Sequence, residues 1–133
     1  MTDHELLERF ESATLAGECF HHAEHVRVAF LYLGRYPVLE ALGRFSRGLK
    51  NFAAALGKPD RYHETITWAY LLLIHDRIGR HPELREWEDF ARCNPDLLVW
   101  KGGILERYYS PETLESALAR KTFLFPDRVV ATP

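Results

Sequence analysis

A chain of 133 residues fits one domain, 1–133, large enough to bury a core without disulfides or a structural metal. An apolar share of 47%, with 8 Phe, 6 Tyr and 3 Trp, excludes disorder as its resting state. The net charge of −2, with both signs mixed, leaves no basic stripe for nucleic acid, and the longest apolar run, around Trp68 to Ile74, is too short to span a bilayer.

Hydrophobic spacing is helical throughout. Thr2 or Asp3 is the expected cap of a first helix reaching about Leu15, closed by Ala16-Gly17. A second helix is expected from Cys19 or Phe20 to Gly34. Pro37 suits the first turn of a third, whose apolar positions Leu39, Leu42, Phe45, Leu49, Phe52 and Leu56 recur at helical spacing until Gly57 ends it. Lys58-Pro59-Asp60 reads as a turn, with Asp60 capping a fourth helix from about Arg61 to Gly79. Pro82 opens a fifth, to about Cys93, and Asn94-Pro95-Asp96 interrupts it. Gly102-Gly103 marks a bend before Leu105 to Tyr109. Ser110-Pro111-Glu112 is a cap-plus-proline start for a last helix ending near Lys121. The tail from Thr122 to Pro133 is expected to lie extended over the body. Strand-type alternation is absent, so the expected fold is all-α, a compact bundle of six or seven helices.

The informative feature is a pair of histidine motifs, Phe20-His21-His22-Ala23-Glu24-His25 and Tyr62-His63-Glu64-Thr65-Ile66-Thr67. On a helical wheel His22 and His25 fall near the middle of the second helix's apolar face, with His21 at its edge. The fourth helix turns His63, Thr67, Tyr70, Leu71, Ile74 and Ile78 inward, places Glu64 at the inner margin and points Thr65 and Asp76 outward. Short connections make consecutive helices antiparallel, so the second and fourth run parallel and their first turns share one end of the bundle. If the two helices are neighbours, His22, His25, His63 and Glu64 meet there.

Three imidazoles and a carboxylate suit a divalent metal, Zn or Fe, activating a water or substrate oxygen. In that reading Glu64 completes the ligand shell or acts as general base, and Thr67 orients His63. Against it, H-x-x-H alone is common, and the His63-Glu64 pair lacks the second histidine of a zinc-protease motif. Two other readings stand beside it. The same groups form a metal-free pocket for a small anion near helix N-termini. Or the histidines satisfy one another and the backbone in the core, with Thr67 bonding back to the His63 carbonyl. Cys19, three residues before His22, is either a further thiolate ligand or a small apolar group. Tyr108, Tyr109 and Arg120 suit an anionic substrate, or else packing and a surface ion pair. Trp68, Trp87 and Trp100 read as core or rim aromatics.

Several of these segments carry a likeness. Phe20 to Ala29 (F-x-H-x-x-H-V-R-V-A), Tyr62 to Trp68 (Y-H-E-T-I-T-W), Asn94 to Leu98 (N-P-D-L-L), Leu105 to Tyr109 (L-x-x-Y-Y) and Leu118 to Asp127 (L-A-R…P-D) together resemble a family of small, functionally uncharacterised bacterial proteins. His22, His25, His63 and Glu64 match its motif positions, and His21 does not. The resemblance implies a compact bacterial protein and leaves metal, substrate and reaction open.

The start Met1-Thr2-Asp3-His4-Glu5 lacks the basic residues and apolar core of a secretory signal, and Cys19 and Cys93 make no disulfide framework. A reducing cytoplasm is the expected setting. The leading expectation is therefore a small cytoplasmic metal-dependent enzyme, hydrolytic or oxidative. The alternatives are a metal-free module for an anionic ligand, or a structural or interaction protein. A small molecule is the expected partner, neither nucleic acid nor membrane is, and a homo-oligomer completing the site is left open.

Overall fold

A computed structural model describes residues 1–128 of the chain. Among them are seven α-helices, joined by turns and short 3-10 segments, and no strand. The helices are α1 (Asp3–Glu11), α2 (His22–Arg35), α3 (Val38–Ala55), α4 (Glu64–Arg80), α5 (Trp87–Cys93), α6 (Pro111–Glu115) and α7 (Ala117–Lys121). No helix among the described residues is long and apolar enough to cross a membrane.

Helices α2, α3 and α4 pack on one another as the centre of the fold. Helix α1 lies across α2 and α3, burying Leu6, Leu7 and Phe10. Its start follows the sequence: Thr2 Oγ1 accepts the Glu5 amide at 3.1 Å, with Asp3 and Glu5 in the positively polarised first turn. Its end does not. The helix stops at Glu11 rather than Leu15, because Ala13 turns to a left-handed backbone with φ 56°. Ser12 Oγ bonds locally, to the Arg9 carbonyl at 3.3 Å and to Thr14 Oγ1 at 2.7 Å, which competes with helix propagation. Arg27 of α2 reaches back to Asp3 at 2.6 Å and fixes α1 against it.

A 3-10 turn over Gly17–Cys19 delays α2 until His22, two or three residues later than the spacing suggests. Glu24 Oε1 accepts the His21 amide at 2.9 Å, half of a capping box. Helix α3 runs as expected from Pro37 to a left-handed Gly57, although Leu39 is exposed. Before α4, Pro59–Arg61 is a 3-10 turn, so the cap is not Asp60. His63 takes that place, its Nδ1 accepting the Ile66 amide at 3.1 Å.

Residues 82–86 form turns, and α5 begins at Trp87 rather than at Pro82. Arg77 of α4 clamps the segment after it, at 3.0 and 2.7 Å from the two Asp96 oxygens and 2.8 Å from Asn94 Oδ1. That pair holds the Asp96 carboxyl below its ordinary range. The expected last helix is two: Ser116 adopts an extended backbone and its Oγ caps α7 through the Ala119 amide at 3.1 Å. The following segment lies extended on α4 as far as Arg128, with Phe123 stacked on Trp68 at 5.2 Å. The remainder of the expected tail, to Pro133, falls outside the described residues.

Thr65 is the clearest departure in the core. The wheel points it outward, yet it is 0% exposed, because α7 and the extended segment cover that side of α4. Its Oγ1 lies 2.8 Å from the carbonyls of both Ala119 and Thr122 and accepts the Leu124 amide at 3.1 Å.

Candidate functional site

The first turns of α2 and α4 open on one cavity of about 750 Å³. Its walls include His22 and His25 from α2, Phe45, Leu49 and Phe52 from α3, and His63, Ile66, Thr67 and Tyr70 from the start of α4. Trp100 and Arg120 approach from the C-terminal half, and Lys58 and Arg61 from the turn before α4. Five of the residues singled out in the sequence thus share one space: His22, His25, His63, Thr67 and Arg120.

They do not form a ligand set. Among the described residues no group of three or more His, Cys, Asp and Glu side chains is arranged to hold a metal ion. Glu64 is absent from the cavity wall. Its Oε1 accepts from Tyr62 Oη and from Trp68 Nε1 at 3.1 Å, with Ser46 Oγ at 3.5 Å, on the side of α4 facing α3. Cys19 is exposed and stands outside the wall.

Two imidazoles are also committed elsewhere. His63 is buried with both ring nitrogens used: Nδ1 accepts the Ile66 amide, and Nε2 lies 2.6 Å from the Leu114 carbonyl. A carbonyl only accepts, so Nε2 carries the proton, Nδ1 does not, and the ring is neutral. Burial lowers its pKa, the Leu114 carbonyl opposes that, and the Arg120 charge adds to it. His22 Nε2 lies 2.8 Å from the Leu97 carbonyl and by the same logic donates to it. Burial outweighs that bond and holds His22 below its ordinary value. A metal bound at Nε2 of either ring would leave a carbonyl unpaired. These residues do not fit the metal centre expected from the motifs.

Thr67 bonds back to the His63 carbonyl at 2.7 Å, so it acts on the backbone and does not orient the imidazole. Losing the His63 ring removes one helix cap and strands one carbonyl. His63→Ala is therefore expected to cost about 2 kcal/mol in urea unfolding. His63→Asn keeps a capping oxygen and should lose about half as much. Equal losses for both variants would show that the cap contributes nothing.

His25 differs from its neighbours. Its ring packs on Phe20 at 4.1 Å between centroids. The ring nitrogens have no hydrogen-bond partner among the described residues, and the residue lines the cavity. Burial holds its pKa down to about 4, with the nearby His22 and His21 adding in the same direction. Tyr70 resembles it: buried, lining the cavity, and raised to about 12 by burial with no bonded partner. No fully inaccessible side-chain nitrogen or oxygen among the described residues lacks a partner, so the unbonded atoms of His25 and Tyr70 are not fully enclosed, and the Tyr70 hydroxyl lies against Gly103 of the 99–103 loop. His22 stands edge-on to the Tyr70 ring at 4.8 Å, beside Trp100 at 5.2 Å.

The rim is cationic. Lys58, Arg61 and Arg120 are exposed there, with Glu18 as the acidic counterpart. Arg120 Nη1 donates to the Asp60 carbonyl at 2.9 Å, tying α7 to the turn before α4.

Tyr108 and Tyr109 do not join Arg120. They border a separate apolar hollow of about 190 Å³ with Leu72, Leu105, Phe123 and Pro126. Tyr109 is buried, its hydroxyl donating to the Leu124 carbonyl at 2.7 Å, and it anchors the extended segment. The expected grouping of the two tyrosines with Arg120 is therefore not what the structure brings together.

Tyr62, Tyr70, Trp100, Lys58 and Arg61 are wall or rim residues not singled out as site residues in the sequence. Tyr70 carried a signal, since it shares the inner face of α4 with His63 and Thr67. Lys58 and Arg61 carried one too: cations beside a helix start oppose the usual preference for acids there. Compared with known protein families, curated proteins and solved structures, the chain matches none.

Proposed function

We propose that the protein is a metal-free binding module for a small amphipathic molecule with an acidic head. The observation that carries this reading is the division of the cavity, with Lys58, Arg61 and Arg120 at the rim and Phe45, Leu49, Phe52 and Ile66 within. Its volume of about 750 Å³ falls inside the range of small-molecule sites. The imidazoles of its wall are held neutral by burial, so the cations at the rim are the charges available to an anion. An acid inserted head-first would bury its charge without a partner, whereas at the rim it meets three cations with its apolar body inside.

The metal-dependent enzyme expected from the motifs has less support, because the Nε2 atoms of His22 and His63 already serve backbone carbonyls. The two free, exposed thiols, Cys19 and Cys93, suit the reducing cytoplasmic setting expected from the sequence.

Calorimetry with decanoate and with decan-1-ol tests the reading. Decanoate is expected to bind, and more weakly as salt screens the rim. The charge reversal Lys58→Glu/Arg61→Glu should weaken it about tenfold or more. Decanol should bind less tightly and show no response to salt or to the reversal. Failure of decanoate to bind, or indifference to the reversal, would overturn the proposal.

A further inference from the structure

Resting on that reading, we infer a narrower ligand class: an acid that carries a flat aromatic ring, which packs on the indole of Trp100. The chain's three tryptophans are not placed alike. Trp68 stacks on Phe123 at 5.2 Å, and Trp87 packs on Phe30 and Phe90 at 5.8 and 6.3 Å. Both are partly buried against the core. Trp100 lines the cavity and is 56% exposed, so more than half of its surface is open to the cavity and the solvent. Covering such a ring removes a large apolar area from water, which is why binding sites use tryptophan as an anchor.

The surrounding structure holds that indole in place. Its packed side is aromatic, with His22 at 5.2 Å and Tyr70 stacked at 6.4 Å, 30° between the planes. His22 is itself fixed by its bond to the Leu97 carbonyl, three residues before Trp100 in the chain. The backbone is shaped to match. Gly102 takes a left-handed φ of 66°, and a Cβ at Gly103 would lie 2.5 Å from the Val99 carbonyl oxygen and 2.9 Å from that of Trp100. Only glycine lets residues 99–103 fold back this tightly, which keeps the indole against His22 and Tyr70. A fixed, half-open indole favours a flat partner. Aromatic rings attract one another beyond the area they bury, whereas a saturated group gains the burial alone. A rigid ring also loses less freedom on binding than an alkyl chain does. The rim cations then read the acid, and Trp100 reads the ring.

A matched pair of probes tests this by calorimetry on the whole chain: 2-naphthoate against decahydro-2-naphthoate. The two share a carbon skeleton and a carboxylate, and burial alone favours the saturated acid, which has the larger apolar surface. 2-Naphthoate is nevertheless expected to bind about fivefold more tightly, the worth of an aromatic pair. Trp100→Leu keeps an apolar side chain without the ring, so the ratio should fall to one or below. Gly103→Ala keeps the indole but displaces the loop, and should lower the ratio as well. A wild-type ratio of one or below, with decanoate bound, would overturn the inference and leave the binding reading standing. A preference that survives Trp100→Leu would overturn the assignment to Trp100, and one that survives Gly103→Ala would overturn the role of the loop. Binding of none of the three acids would overturn the reading and the inference together.

Discussion

Phe10→Ala is expected to cost about 3–5 kcal/mol in urea unfolding. The ring is 0% exposed and sits among Phe20, Tyr32 and Phe45 at 5.3, 6.2 and 6.4 Å between centroids. Its remaining side is closed by Gly48 of α3, where an added Cβ would lie 2.3 Å from Phe10 Cε2 and 2.5 Å from Cζ. The ring cannot retreat, because three aromatic neighbours hold it. Gly48→Ala should therefore destabilise the protein by roughly 1–3 kcal/mol, even though alanine is the better helix former by about 1 kcal/mol. The double variant is the informative one. With the ring gone, the methyl at position 48 meets open space and the helix gains its propensity. The combined loss should fall short of the sum by at least about 1 kcal/mol. Strict additivity would show that the contact does not limit packing. Phe20 lines the cavity, so the same truncation should also weaken decanoate binding by loosening one wall.

Acid is expected to destabilise the protein by at least about 3 kcal/mol between roughly pH 6.5 and pH 4, most of it above the range in which ordinary carboxylates titrate. His22, His25 and His63 all have lowered pKa values in the fold, His25 down to about 4, with burial the first cause each time. In the unfolded chain each takes its ordinary value of about 6.5. Below that pH the unfolded state binds protons that the folded state refuses. Stability then falls with pH through this window and levels off once the folded rings also protonate. At about 1.4 kcal/mol per pH unit, the drop of His25 from about 6.5 to about 4 alone supplies about 3 kcal/mol, and the other two add to it in the same direction. The carboxylates behave differently. Asp96 is held down first by its bond from Arg77, and Asp127 to about 2 by bonds from Ser110 and Thr113, so their contributions fade below the unfolded carboxylate value near 3.9. Urea unfolding across this range, repeated with His25→Phe, checks the account. A wild type with flat stability between pH 7 and pH 5, or a variant equally acid-sensitive, would show that His25 is not the group refusing protons.

The helical class and several helix ends were legible because they depend on neighbours in sequence. Thr2 and Ser110 cap the helices they precede, and Gly57 ends α3 with positive φ. Periodicity also turned His22, His25, His63 and Thr67 inward, and the structure gathers them around one space. What the imidazoles do there was not legible. The partners of His22 and His63 are main-chain carbonyls of Leu97 and Leu114, 75 and 51 residues away. A carbonyl leaves no trace in residue type, so a histidine bound to one looks like a histidine awaiting a metal. Glu64 failed for a related reason: its carboxylate is already taken by Tyr62 and Trp68, both local, and it is absent from the cavity wall. Thr65 was misplaced because a wheel assumes one buried face, whereas α4 is covered on two sides.

The Thr65 hydroxyl carries a consequence for how the protein is made. Its partners lie at residues 119, 122 and 124, more than fifty positions further along the chain. While a ribosome is still adding α5 and α6, only water can satisfy the hydroxyl that the finished fold encloses, so that side of α4 stays wet. The rim is late as well, since Arg120 belongs to α7. A nascent chain can collapse its aromatic centre early, but the Arg120 side of the cavity is missing until α7 has emerged from the exit tunnel, so the proposed ligand would meet a complete rim only after that point.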